Sequence, residues 1–436
     1  MTASNRTDLP HEIADLVAGP FARFVKIEAA AGVLLFVAAL VALVLANSHL
    51  SAPYLAFWET PIGVRIGSLD FTRSLKHWIN DGLMTFFFFV ISLELKRELV
   101  LGELRNPQTA ALPLAAAVGG MLVPVLVYHA LLTDQPGIHG WGTVMATDTA
   151  FVIGCLAIFG NRIPPGLRLF LLSLAIFDDV GAILVVALGY GEALNGFALV
   201  LGALGLGVVA GAAGLGVRSI PVYFIIGGAI WACFDASGIH ATLTGVILGL
   251  MTPTRIWVSD ARLRTLLERV LAYPVGEHWS GDTADRRDLR QAGRAVSESL
   301  SPVERLEMTL HPWVGFAIMP AFALANAGIA ITAADFGQAV SVAVLAALFL
   351  GKPIGVLGFS WIAVKFGLAT LRPGLNWRLL AAGAMLTGIG FTMSLFIAEL
   401  AYSPALLNAA KIGVLAGSVC SAALGVIILA WLTRQK

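Results

Sequence analysis

The sequence predicts an all-α polytopic membrane protein of about twelve transmembrane helices. Of its 436 residues, 58% are hydrophobic and only 13% charged, against about a quarter charged in an ordinary soluble domain. Apolar runs of about twenty residues recur along the chain, the length that covers about 30 Å of hydrocarbon at about 1.5 Å per residue. Mean hydropathy is +0.84. This composition excludes a soluble enzyme, and a net charge of +1 presents no basic face to nucleic acid. Cys155, Cys233 and Cys420 lie far apart in apolar segments. They suit neither a disulfide framework nor a metal cluster and read as small packing residues.

Residues 1–27, with Arg6, Arg23 and Lys26, are too polar and too long before the first apolar run for a cleavable signal peptide. They read as a cytoplasmic amphipathic segment. Spans are expected near 28–47, 77–96, 109–132, 142–158, 165–190, 195–217, 220–236 and 239–252, which together make a block over 28–252. A charged cytoplasmic loop over 253–308 follows, and then spans near 309–331, 338–364, 377–398 and 405–432 within 309–436. Positive loops stay cytoplasmic. Arg6, Arg23 and Lys26; Lys96, Arg97 and Arg105; Arg162 and Arg168; Arg218; nine arginines from Arg255 to Arg305; Lys365, Arg372 and Arg378; and Arg434 with Lys436 all fall on one side. Only Arg65, Arg73 and Lys76 fall on the other, so both termini are expected to be cytoplasmic. Those nine arginines are balanced by nine acids from Asp260 to Glu307, which reads as a solvated, partly helical loop. Residues 61–76 differ in kind: Val64 and Ile66, then Leu69 and Phe71, alternate about Gly67-Ser68, a pattern suited to a II′ hairpin. An isolated hairpin is marginal, so this one is expected to pair with something further, such as a second copy of the chain.

Ionisable groups inside apolar spans cost a few kcal/mol each at the bilayer centre and persist only with a partner or a water-filled cavity. Asp148, the adjacent Asp178 and Asp179, and Lys352 are the chief cases, while Lys411 also lies inside a span. Thr147 and Thr149 flank Asp148 with hydroxyl oxygens, a ligand type suited to a small hard cation. Consecutive helical residues point about 100° apart, so Asp178 and Asp179 are expected to face different neighbours. Burial and a second carboxylate both favour proton uptake, so such a site suits proton exchange near neutral pH. Lys352 is the natural counter-ion, or else a lysine snorkelling from a span end. Gly388 and Gly390 mark a candidate unwound segment of the kind transporters use for ion sites. The Asp148 span has no glycine beside the aspartate, so a break there is only weakly indicated. If both spans break and cross, Asp148 would offset helix N-termini and Lys352 the C-termini.

With these residues stand ten short motifs in order: Trp78-Ile-Asn-Asp-Gly-Leu-Met84, Leu93-Glu-Leu-Lys-Arg-Glu-Leu99, Gly119-Gly-Met-Leu-Val-Pro124, Ala146-Thr-Asp148, Phe177-Asp-Asp-Val-Gly-Ala182, Ser237-Gly-Ile-His-Ala-Thr242, Leu310-His-Pro-Trp313, Asn326-Ala-Gly328, Gly351-Lys-Pro353 and Thr387-Gly-Ile-Gly-Phe-Thr-Met-Ser394. On them the chain closely resembles the NhaA-type bacterial sodium/proton antiporters, a family with inverted-topology repeats. The resemblance implies a twelve-span antiporter of the bacterial inner membrane that expels Na⁺ or Li⁺ in exchange for protons, with its fourth and eleventh spans broken and crossing. By position Asp179 is then the principal cation ligand, Asp178 its partner linked to Lys352, and Asp148 with Thr147 the group at the crossing. Glu94, Lys96, Arg97, Glu98, Glu307 and His311 fall where the family places a cytoplasmic pH-responsive cluster, and the 61–76 hairpin where it forms a dimer contact. The chain departs from the pattern at Ser92, where glycine is usual, at Met308, where histidine is common, and in its longer 255–307 loop.

No cofactor is expected beyond the transported ions; the expected partners are membrane lipid and a second copy, without nucleic acid or ATP. No Gly-x-x-x-x-Gly-Lys-[Ser/Thr] loop occurs, and His11-Glu12 lacks the second histidine of a metalloprotease helix. The motifs of intramembrane aspartyl proteases are absent around the buried aspartates. A passive cation channel, which also uses acidic groups, and a secondary transporter of another small ion are the alternatives. Coupling to protons separates a channel from an exchanger.

Overall fold

The computed structural model describes residues 28–66, 69–133, 135–191, 194–217, 219–271, 284–371 and 374–434. The expected entry segment 1–27, the hairpin tip Gly67-Ser68, Arg218, Arg372, Lys436 and residues 272–283 of the charged loop lie outside them.

Helix α1 spans Glu28–Ala46. Strands β1 (Pro61–Ile66) and β2 (Leu69–Ser74) pair antiparallel, from Pro61 opposite Ser74 to Ile66 opposite Leu69. The helices that follow are α2 (Leu75–Val100), with a π-turn over Trp78–Leu83, and α3 (Pro107–Leu131). A 3₁₀ segment, Ile138–Val144, precedes α4 (Thr149–Ala157). Next come α5 (Pro165–Gly189), α6 (Gly196–Gly214), α7 (Ile220–Ser237) and α8 (Leu243–Met251). The charged segment forms α9 (Asp260–Leu271) and α10 (Ala284–Glu298). The chain continues through α11 (Pro302–Asn326), α12 (Ala339–Lys365), α13 (Trp377–Thr387), α14 (Phe391–Ala401) and α15 (Pro404–Arg434).

Among the described residues nine helices are long and apolar enough to cross a membrane, or ten when α13 and α14, bent by 42° at their break, form one span. This is a multi-pass membrane protein. Two of the twelve expected spans come out short. α1 has only Ala30–Ala46 in its apolar stretch. α8 starts at Leu243 rather than 239, because Gly238 takes the left-handed conformation (φ 80°) that ends α7, a common helix stop. The ring of His240 then bonds to the Tyr190 carbonyl at 2.7 Å. α11 begins earlier than expected, at Pro302, where Ser301 and Glu304 form a capping box that satisfies helix N–H groups reciprocally.

The hairpin docks on its own chain. Phe71 packs edge-on to Trp78 and Trp231, at 5.5 and 6.2 Å between ring centroids, and those two indoles stack at 5.7 Å. The Trp78 indole N–H donates to the Ile62 carbonyl at 2.8 Å. At the centre of the bundle α3 and α12 touch backbone to backbone. A Cβ on Gly119 would lie 2.2 Å from the Gly355 oxygen, and one on Gly355 would lie 2.0 Å from the Gly119 oxygen. This approach carries Lys352, on the same helix as Gly355, into the core with no exposure. In the charged segment α9 and α10 pack on each other, burying Ala292 and Ala295. The cysteines are all free; Cys155 and Cys233 are half-buried, whereas Cys420 is exposed on the described chain and so fills no core space.

Candidate functional site at a helix crossing

Two interruptions face each other. Residues 145–148 leave helical geometry between the 3₁₀ segment and α4, and residues 388–390 separate α13 from α14. The Asp148 backbone N–H donates to the Ile389 carbonyl at 2.6 Å, and the Thr147 hydroxyl lies 3.0 Å from the Thr387 carbonyl. Helix starts leave unpaired N–H groups that carry partial positive charge. One carboxylate answers both of them here: Asp148 Oδ1 accepts from the Phe151 N–H at 3.1 Å, and Oδ2 accepts from the Thr392 N–H at 3.0 Å and from the Thr392 hydroxyl. The carbonyl side is answered by Lys352, whose ammonium donates to the Met145 oxygen.

Asp178 and Asp179 sit midway along α5. Asp178 Oδ2 accepts from the Thr147 hydroxyl at 2.5 Å and lies 3.1 Å from Lys352 Nζ, with both side chains of that ion pair wholly excluded from solvent. Asp148, Thr147, Asp178 and Lys352 are thus drawn into one network by three separate segments. Asp179, 5% exposed, points elsewhere, as its place on the helix requires. The charges of Asp178, Glu94, Asp148 and Lys352 all act on it. The Oδ1 atoms of Asp178 and Asp179 are buried without a hydrogen-bond partner among the described residues. Buried carboxylate oxygens in that condition call for a proton, a cation or water.

The charged group expected at the cytoplasmic face is assembled only in part. Arg97 bridges Glu307 at 2.7 Å and Glu98 at 3.1 Å. Lys96 turns away and donates to the Leu250 carbonyl at the end of α8, 2.5 Å away. Glu307 Oε2 is buried without a partner among the described residues. Its carboxylate lies in the fields of Glu94 and His311, and Glu94 acts on Asp179 as well.

Sequence reasoning missed three features. Thr392 stands in one of the ten motifs, yet nothing in the sequence marks its double donation to Asp148. Glu399 takes both Lys76, at 2.8 Å, and Lys411. Asp235 binds Arg73 at 3.2 Å and one side of His77 at 3.3 Å, with Asp81 on the ring's other side at 3.3 Å. Glu399 and Asp235 are acids in apolar segments, so the criterion that found Asp148 applied to them too. Among the described residues no three His, Cys, Asp or Glu side chains converge as a resident metal would require.

Interrupted helices whose ends are held by a buried acid and a buried lysine, inside a bundle of apolar spans, define a secondary ion transporter rather than an enzyme. The chain belongs to the Na⁺/H⁺ antiporter 1 family, whose model matches residues 22–429. It is 63% identical over 428 residues to Na(+)/H(+) antiporter NhaA of Rhizobium meliloti (strain 1021), with 98% of each chain covered. Na(+)/H(+) antiporter NhaA 2 of Acidiphilium cryptum (strain JF-5) is 58% identical over 428 residues, covering 98% of this chain and 95% of that one. Na(+)/H(+) antiporter NhaA 2 of Vibrio vulnificus (strain CMCP6) is 52% identical over 434 residues, covering 100% and 97%. The family read from the ten motifs is the family these comparisons give.

Proposed function

We infer that the chain exchanges Na⁺, or Li⁺, for protons across the bacterial inner membrane, without cofactor or ATP. The observation that supports this reading is the pair of buried carboxylate oxygens on Asp178 and Asp179 without a hydrogen-bond partner among the described residues, beside a lysine and a threonine hydroxyl at a helix crossing. Asp179 alternates between a proton and the cation. Thr147 adds a hydroxyl oxygen, and Asp178 trades its Lys352 partner against the cation's charge. Two proton-releasing groups against one monovalent cation make the exchange electrogenic, the second proton leaving from Lys352 or Asp178. Family membership favours this coupling over a passive channel. In the architecture we propose, α1 and α8 count as short spans, giving twelve in inverted-topology repeats with both termini cytoplasmic.

The test is reconstitution in liposomes, with internal pH followed after adding Na⁺, Li⁺ or K⁺. Na⁺-driven proton release is expected from the parent and none from Asp179→Asn, because an amide cannot alternate between proton and cation. Robust release by that variant would refute the assignment. Competition at one site also makes apparent Na⁺ affinity fall as pH drops.

Two further proposals belong to this reading. Glu94, Lys96, Arg97, Glu98, Glu307 and His311 set the pH of activation, so Glu307→Gln is expected to move the activity-versus-pH curve sideways at unchanged maximal rate. A loss of rate with no shift would make the residue structural. The 61–76 hairpin is a two-stranded sheet with no third strand among the described residues, and it offers an edge to a second copy. Deleting about residues 62–73 is expected to give monomers that still transport; an unchanged dimer mass in detergent would reject this.

A further inference from the structure

Among the described residues, Lys411 of α15 is a buried charge to which neither the helix crossing nor the exchange above gives a part. Its ammonium pairs with Glu399 near the end of α14 and donates to the Asn326 carbonyl at the end of α11, 3.1 Å away. Glu399 takes a second cation, Lys76 at the start of α2, at 2.8 Å. Asn326 exchanges side-chain hydrogen bonds with Asn80 of α2, at 2.7 and 3.2 Å. These bonds are of two kinds. Glu399–Lys411 joins α14 to α15, and Asn80–Asn326 joins α2 to α11. Lys76–Glu399 and Lys411–Asn326 run between the two pairs of helices. The pairs therefore meet at a seam whose polar contacts are one ion pair and one charge-assisted hydrogen bond, with buried Phe396 of α14 packed against Phe88 and Phe322 of the other pair.

The seam lies on the hairpin side of the crossing. α14 starts beside Asp148, through Thr392, and reaches Glu399 seven residues later, about 10 Å along a helix. One carboxylate against two ammonium groups leaves an excess positive charge there, with Lys76, Glu399 and Lys411 24%, 13% and 7% exposed. A cation leaving Asp179 toward the hairpin face meets that charge where water screens it only in part. We propose that Lys76, Glu399 and Lys411 form a closure on the hairpin side of the cation route, and that Lys76 parts from Glu399 whenever the buried aspartates are open to that face. This rests on the exchange reading above. Parting in an open seam lets water solvate both groups, whereas parting in a closed one strands buried charge. Half-open arrangements are disfavoured, and the seam has two discrete states, as alternating access needs.

The test starts from the chain with Cys155, Cys233 and Cys420 replaced by Ala. Lys76→Cys and Glu399→Cys are introduced and bridged by a short, reducible bifunctional thiol reagent. Bridging is expected to remove nearly all Na⁺-driven proton release in proteoliposomes, and reduction to restore it. Bridged protein that exchanges at the reduced protein's rate would overturn the closure. A second measurement does not depend on transport. Asn80→Cys is labelled from the hairpin face by a membrane-impermeant thiol reagent, with and without Glu399→Gln. Loss of the cross-seam pair is expected to raise the labelling rate on the order of tenfold; an unchanged rate overturns the proposal. If the exchange reading itself were wrong, the parent would release no protons on Na⁺ addition, while the labelling difference would stand.

Discussion

Between α13 and α14 the chain carries Gly388 and Gly390, whereas the break before α4 reads Met145-Ala-Thr-Asp148, with no glycine at all. Neither glycine is needed for an unusual backbone angle, since φ is −69° at Gly388 and −89° at Gly390. What Gly388 supplies is room: a Cβ there would lie 2.5 Å from the Leu348 carbonyl and 2.3 Å from the Ser421 hydroxyl. The first break is held instead by its bonds, above all the Asp148 carboxylate and the donors it accepts from α4 and α14. One interruption is permitted by small residues and the other is imposed by partners. The imposed one depends on the permitted one, because Thr392 and Ile389 belong to the second span.

The largest effect is therefore expected at Asp148. Asp148→Ala leaves the Phe151 and Thr392 N–H groups and the Thr392 hydroxyl without their acceptor, at about 1–3 kcal/mol for each that stays buried and unpaired. A fall in thermal midpoint in detergent, together with loss of exchange, is the expected outcome. Asp148→Asn keeps an accepting oxygen and is expected to recover much of the stability without the exchange. An Ala variant as stable as the parent would show that the first break does not rely on this carboxylate. A smaller effect is expected from Gly388→Ala, about 1–3 kcal/mol for forcing a methyl into a filled space, read in the same melting experiment. No change at all would show that the second break has slack and would weaken the distinction drawn here.

The same contrast explains what the sequence disclosed. Charged residues in apolar runs are conspicuous, so Asp148, Asp178, Asp179 and Lys352 were legible, and the bonds made by Asp148, Asp178 and Lys352 join residues up to 244 positions apart. The second break was legible through its glycines, and at Gly388 it is space rather than backbone freedom that calls for one. The first was nearly invisible, because a break made by partners leaves no mark on its own segment. Span ends behaved similarly. α11 starts early at a capping box that the reading passed over, and α8 shrank because Gly238 ends the helix before it. The Lys76–Glu399–Lys411 group was missed for want of a partner in sequence, as Lys76 and Glu399 lie 323 residues apart.

The ion pair between Asp178 and Lys352 also fixes an order of events in the making of the protein. α5 leaves the ribosome with both of its acids about 170 residues before Lys352 has been translated, an interval of roughly 9–35 s at about 5–20 residues per second. During that time the helix has to be lodged in lipid without its counter-ion, and an isolated carboxylate in such surroundings is neutralised rather than kept charged. Asp178 is therefore expected to enter the bilayer protonated and to ionise only once α12 brings Lys352 beside it.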